Sequence, residues 1–201
     1  MKDLSEMKRI IQKDYDRHRE KFKGLTSKHK IILLGDSMIA YIPIHYFGLE
    51  AVVLNLGIPG DTTTGVLNRL DDVIHLMPSR VILNIGSNDA VLTDLTLDQT
   101  VSNIIGIEEH LKAKGIPVTV VSMTPVLIGH PLSNMDYIRN RTNTELTYIN
   151  QRLSVYLPQD AYVDVFSSLL KQHQLSPDYT TDGIHLSKTG YAIYLNKLNL
   201  I

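Results

Sequence analysis

Five short apolar runs rich in β-branched residues, at 30–34, 51–56, 80–85, 117–122 and 161–165, constrain this chain more than any other feature. They are apolar at almost every position, which suits strands covered on both faces. Parallel sheets are built that way, because the helices that cross from strand to strand lie over both sides. Helical patterns fill the gaps. Residues 63–76 carry Val66, Leu67, Leu70, Val73 and Ile74 at helical spacing, residues 97–114 and 139–156 give two longer helices, and 188–198 closes the chain. Strand and helix in alternation predict a doubly wound α/β layer structure. With 201 residues, 43% of them hydrophobic, the chain suffices for one domain with a sizeable core. It shows no internal repeat and no low-complexity tract.

Open parallel sheets bind ligands beyond the carboxyl ends of their strands, and the chemistry-bearing residues of this chain fall there. Gly35-Asp36-Ser37 follows the first run, Gly60-Asp61-Thr62 the second, and Gly86-Ser87-Asn88-Asp89 the third. Asp182-Gly183-Ile184-His185 stands just before the closing helix. A serine hydroxyl is a poor nucleophile until a base within hydrogen-bond reach takes its proton. Histidine is suited to that task, and a carboxylate on its other ring nitrogen fixes the tautomer. Asp182 and His185 share one short loop, so only Ser37 must come from elsewhere. The N–H groups of Ser37 and Gly60 and the side-chain amide of Asn88 then form a three-point oxyanion hole. Asp178 is a rival carboxylate outside this block. Asp36 and Asp89 invite a metal reading, but strand-end aspartates ordinarily satisfy nearby backbone N–H groups, and no metal is expected. Ser187 is placed to cap the last helix.

The four segments, in this order, resemble the blocks of the GDSL/SGNH hydrolases, the lipase/acylhydrolase superfamily. The resemblance runs from about residue 31 to residue 191, with Met38 where the family name has leucine. It implies a flavodoxin-like three-layer α/β/α sandwich whose five-stranded parallel sheet has the order 2-1-3-4-5. It implies Ser37 as nucleophile, His185 as base and Asp182 as its orienting acid, with Ser37, Gly60 and Asn88 as oxyanion donors. The activity it implies is hydrolysis of a small-molecule carboxylic ester through an acyl-enzyme, with no cofactor. Acyl-thioesters, lysophospholipids and acetylated sugars suit the same machinery. A non-catalytic binding module is the rival of a different class.

Composition removes other functions. A formal net charge of −1 argues against a nucleic-acid binder, and the lack of cysteine excludes disulfides and thiolate chemistry. No Gly-x-Ser-x-Gly elbow, Gly-x-Gly-x-x-Gly fingerprint or P-loop occurs. No run approaches the ~18 apolar residues of a membrane span, and the first residues are too charged for a signal peptide. A cytoplasmic protein without stable membrane insertion is expected. Residues 1–28 read as a basic amphipathic helix belonging to the same domain as the hydrolase region, 29–201. Residues 1–30 hold ten Lys/Arg against five Asp/Glu, while Leu4, Met7, Ile11, Tyr15, His18 and Phe22 recur at helical spacing. Such a helix packs on the body or meets a partner or membrane surface, and a homodimer through it is one arrangement. The irregular segment 124–140 follows the fourth run. There, Leu127, Ile128, Leu132, Met135 and Tyr137 either line a substrate pocket or cap the core.

Overall fold

Each of the five apolar runs forms a strand in the computed structural model, which describes residues 3–25 and 30–201. The chain begins with α1 (Leu4–Lys23), β1 (Ile31–Gly35), α2 (Ser37–Ala40), β2 (Val53–Gly57), α3 (Thr63–Leu67) and α4 (Leu70–Ile74). It continues through β3 (Arg80–Asn84), α5 (Asp89–Leu92), α6 (Leu97–Ala113), β4 (Val118–Val121), α7 (Met135–Ile138) and α8 (Asn143–Tyr156). Next come β5 (Tyr162–Val163), α9 (Phe166–Leu169), the small pair β6 (Leu170–Lys171) and β7 (Gln174–Leu175), and α10 (Lys188–Lys197). The five main strands pair in parallel in the order β2-β1-β3-β4-β5. This is the sandwich that the sequence implied.

Successive side chains of a strand point to opposite faces, and the central strands use both. Ile32, Leu34, Val81 and Leu83 enter one core with residues of α4, α6 and α8. Leu33 and Ile82, between them, enter a second core with residues of α2 and α10. Covering on both faces is why the runs are continuously apolar instead of alternating.

Helix boundaries depart from the periodicity at two places. The single helix expected over 63–76 is broken into α3 and α4, with Arg69 between them at φ −128°. The side chain of Arg69 is fully buried and drawn beneath the sheet edge. Its Nε donates to Asp61 Oδ2 at 2.9 Å, Nη1 to the Leu56 carbonyl at 2.9 Å and Nη2 to the Gly35 carbonyl at 3.2 Å. These bonds outweigh helix continuity. The helix expected from residue 139 starts instead at Asn143, capped by Thr142, whose hydroxyl accepts from the Glu145 N–H at 3.2 Å. Residues 139–142 turn aside, with Arg139 at φ +48°.

Within the N-terminal segment, α1 is helical over Leu4–Lys23. Of the segment 1–28, residues 1, 2 and 26–28 lie outside the described residues. Its helix is fastened by the Tyr15 hydroxyl donating to the Gly65 carbonyl at 2.7 Å and by an Arg19–Asp72 ion pair at 2.9 Å. Phe22 packs on the first core, with the Arg69 guanidinium 5.9 Å from its ring centre. No residue of α1 is fully buried. Among the described residues, no helix is long and apolar enough to cross a membrane.

Arg69→Met should destabilise the protein by about 3–5 kcal/mol, because the charge of Asp61 would stay buried without its partner. Urea denaturation of both proteins measures this, and a loss below about 1 kcal/mol would show that the pair is not what holds these loops.

Candidate active site

Ser37 is the first residue of α2, immediately beyond β1. Asp36 caps that turn, its Oδ1 accepting from the Met38 N–H at 2.9 Å. Asn55 clamps the turn from the neighbouring strand, donating to the Ile39 carbonyl at 2.7 Å, while the Tyr191 hydroxyl donates to the Met38 carbonyl at 2.9 Å. The backbones are close: a Cβ on Gly35 would lie 1.9 Å from the Asn84 carbonyl oxygen, and one on Gly57 would lie 2.2 Å from the Ala40 nitrogen. Glycine is therefore required at both positions, and the serine is held on a rigid support.

His185 faces Ser37 across the strand ends. Its Nε2 is 3.0 Å from Ser37 Oγ, and its Nδ1 is 2.7 Å from Asp182 Oδ2. The other oxygen of Asp182 accepts from the backbone N–H groups of His185 at 2.8 Å and Ile184 at 3.1 Å. Burial would raise the pKa of Asp182, but the hydrogen bonds from the His185 side chain and backbone outweigh it and hold the carboxyl below its usual value. An ionised Asp182 keeps Nδ1 protonated and leaves Nε2 to accept from serine. Two tyrosine rings meet the imidazole edge-on, Tyr41 with ring centres 5.0 Å apart and Tyr137 at 5.4 Å. Asp178, the rival carboxylate, lies 3.6 Å from the Lys171 ammonium.

Gly60 and Asn88 join this group around a cavity of about 240 Å³ that is also lined by Ser37 and His185. Gly60 adopts φ +81°, a left-handed conformation that favours glycine. The buried Asn88 side chain makes three bonds. Its Nδ2 donates to the Asp61 carbonyl at 2.9 Å and to Asp36 Oδ2 at 3.2 Å, and its Oδ1 accepts from Arg141 Nη2 at 2.5 Å. Arg141, which the sequence reading missed, is itself buried and also donates to the Ser87 carbonyl at 2.8 Å and the Tyr137 carbonyl at 2.6 Å. Desolvation lowers its pKa to about 10 and leaves it a cation. A guanidinium on Oδ1 fixes which way the amide points, so that its N–H₂ end faces Asp36 and Asp61. Nothing in the local pattern singled out Arg141. It sat inside what read as a helix.

The five residues proposed for a substrate pocket separate. Tyr137 lines the cavity, but Leu127, Ile128, Leu132 and Met135 do not. Leu127 is buried in the second core, and the other three are exposed. Segment 124–140 instead supports the acid–base turn. The Leu127 N–H donates to the Gly183 carbonyl at 2.8 Å and the Asn134 N–H to the Asp182 carbonyl at 2.7 Å. A loop committed to those backbone bonds turns its apolar residues into the core or out to solvent. Asn84, whose role the sequence left open, ties β3 to the end of β4 by donating to the Ser122 carbonyl at 2.8 Å.

Residues 34–193 match the GDSL-like lipase/acylhydrolase family, and the chain belongs to that family. It is an ester hydrolase with the fold of that family's structures. A Streptococcus pneumoniae structure named for a platelet activating factor is 26% identical, with TM-score 0.85 over 98% of this chain and 96% of that one. An acylhydrolase of Bacteroides fragilis is 25% identical, with TM-score 0.77 over 92% of this chain and 93% of that one. A GDSL-like lipase of Bacteroides thetaiotaomicron, 23% identical, shares the fold with TM-score 0.76 over 92% of this chain and 95% of that one. No curated protein matches the chain.

Two carboxyls beside the site are buried. Asp89 accepts from the Thr63 N–H at 3.1 Å and also from the Thr63 hydroxyl. Desolvation pushes Asp36 and Asp89 each up to about 6. A carboxyl whose pKa is raised on folding stabilises the fold below its unfolded pKa of about 4, and that contribution disappears as the pH climbs through the folded value. Asp89→Asn removes one such ionisation. Between pH 4.5 and 7 the stability of the variant relative to wild type should rise by on the order of 1–3 kcal/mol. Urea denaturation at the two pH values checks this, and a pH-independent difference would contradict it.

Proposed function

We propose that the chain cleaves carboxylic esters through an acyl-enzyme on Ser37, with His185 as general base and Asp182 as its orienting acid. The observation that carries the reading is the continuous hydrogen-bonded path from Ser37 Oγ through the imidazole to Asp182, opening on a cavity. His185 takes the serine proton as Oγ bonds to the acyl carbon. The carbonyl oxygen gains the electron pair and is stabilised by the N–H groups of Ser37 and Gly60 and by Asn88 Nδ2. To donate there, Asn88 exchanges its longer contact with Asp36 for the oxyanion and keeps the bond to the Asp61 carbonyl. Collapse breaks the bond to the alcohol oxygen, which leaves with the proton held by His185. Water then adds to the acyl carbon while His185 accepts its proton. The acid departs, and that proton returns to Ser37. Asp182 stays ionised and offsets the imidazolium charge in both half-reactions.

The likeness to an acylhydrolase at 25% identity supports the same bond class. It leaves the alcohol and the acyl group to be found by assay. A panel of p-nitrophenyl esters, acyl-CoA, lysophospholipid and acetylated sugars distinguishes the ester, thioester and deacetylase forms of this chemistry.

Ser37→Ala should lower kcat for p-nitrophenyl esters by roughly 10⁴-fold or more and abolish covalent labelling by a fluorophosphonate. Labelling that persists in this variant would move the nucleophile elsewhere. Asn88→Ala should lower kcat by about 10²–10³-fold. Steady-state kinetics showing a loss confined to KM would take Asn88 out of the oxyanion site and leave it a purely structural clamp.

A further inference from the structure

The first helix contributes one side of the cavity that holds Ser37 and His185. Met7, Ile10 and Ile11 line that cavity, and they occupy one face of α1 at spacings of three and four residues. Ile11 is seated directly on Gly60: a Cβ at Gly60 would lie 2.8 Å from both Ile11 Cγ atoms. Gly60 therefore provides room for a side chain from 49 positions earlier in the chain, besides bringing its backbone to the cavity. Ile10 remains 51% exposed although it lines the cavity, so part of its apolar surface is open to a bound molecule. The adjoining hollow between α1 and α7 shares Met7, Ile10 and Ile11.

We infer that α1 is the acyl-side wall of the active site, with Met7, Ile10 and Ile11 selecting a short, straight acyl group. This deepens the ester-hydrolase reading of the same cavity and rests on it. Geometry assigns the side. The leaving alcohol must face His185 Nε2, which protonates it, where the ring of Tyr41 flanks the imidazole. The acyl substituent is a vertex of the tetrahedral carbon distinct from both the leaving oxygen and the oxyanion, so it points away from the imidazole and along the surface beside Gly60. There Ile11 sits on Gly60, and Val91 and Leu92 follow Asn88. Size assigns the length. A volume of about 240 Å³ falls below the roughly 300–1,000 Å³ of sites that enclose drug-sized ligands. Shortening the side chains of this wall lengthens the acyl group that the cavity accepts.

The test is the full-length protein assayed with p-nitrophenyl acetate, butyrate and octanoate, so that only the acyl group changes. Wild type should prefer acetate or butyrate in kcat/KM. Ile11→Ala and Met7→Ala should each raise the octanoate-to-acetate ratio by about tenfold or more, the scale on which apolar pockets discriminate methylenes. Lys13→Ala, on the exposed face of α1, should leave the ratio as it is. Circular dichroism and Tm establish that the variants are folded, and the two alanine variants are independent of each other. An unchanged ratio in both folded variants, with wild type active and Ser37→Ala inactive, overturns the wall and leaves the hydrolase standing. A wild type inert toward every ester and toward a fluorophosphonate overturns both.

Discussion

The site depends first on one buried guanidinium. Arg69 bonds to the carbonyls of Gly35 and Leu56, at the ends of β1 and β2, and to the carboxylate of Asp61, next to Gly60. Ser37 and Gly60 lie within two and one residues of groups that it holds. Removing two charges from water is expensive, and such pairs are often no more stabilising than an apolar replacement of the same shape. What an ion pair of this kind supplies here is geometry. A single planar donor meets three acceptors, two at strand ends and one on a loop, and an apolar side chain could fill the space without fixing their separation. The cost appears locally as the break between α3 and α4, where the helix gives up continuity to send Arg69 inward.

A second cation repeats the arrangement on the other side. Arg141 bonds to the Asn88 amide oxygen and to the backbone carbonyls of Ser87 and Tyr137, just as Arg69 ties down the β1 and β2 ends. Asn88 in turn donates to Asp36 and to the Asp61 carbonyl. Three of the four segments read from the sequence are thus joined by a continuous polar network under the cavity floor, and the fourth, Asp182–His185, meets them through the contact of His185 with Ser37. Its buried donors and acceptors are cross-satisfied, the condition under which such networks make a structure rigid. The mechanism proposed for this site needs oxyanion donors held in place before the charge develops, and the two arginines hold the segments that carry Gly60 and Asn88.

The strands and their order were legible because continuous apolar runs have few alternative uses in a chain of this length. Ser37, Gly60 and Asn88 were legible because each follows such a run at a strand end where ligands gather, and the Asp182–His185 turn because a carboxylate and an imidazole share one short loop before the closing helix. Arg69 and Arg141 were not, since both stand in stretches whose spacing is helical. Periodicity reports the face that the backbone would bury and is silent about a side chain that leaves the pattern to bond at long range. Segment 124–140 left two alternatives open, pocket or core cap, for a related reason. Its apolar residues suggested a pocket, but the function of the loop lies in backbone N–H groups, which have no residue signature. Of the five apolar residues only Tyr137 lines the cavity, its ring set edge-on to His185.

The parts of the site differ in how firmly they are held, and the division follows the chemistry. Ser37, Asp36, Asp61 and Asn88 stand just beyond strand ends and are tied down by the two buried arginines, so a shift of one group disturbs several bonds. Asp182 and His185 form a turn closed on itself by two backbone N–H bonds to one carboxylate oxygen. The wall from α1 has neither support. Among the described residues its attachments include the Tyr15 hydroxyl, the Arg19–Asp72 ion pair and the packing of Ile11 and Phe22, and none of its own residues is fully buried. Substitutions at Met7 or Ile10 therefore meet little structural resistance, whereas those beneath the cavity floor propagate through the network. A fold arranged in this way keeps its reaction fixed while the surface that meets the substrate remains free to vary. On these grounds acyl selection belongs to the weakly held helix, and ester cleavage to the buried floor.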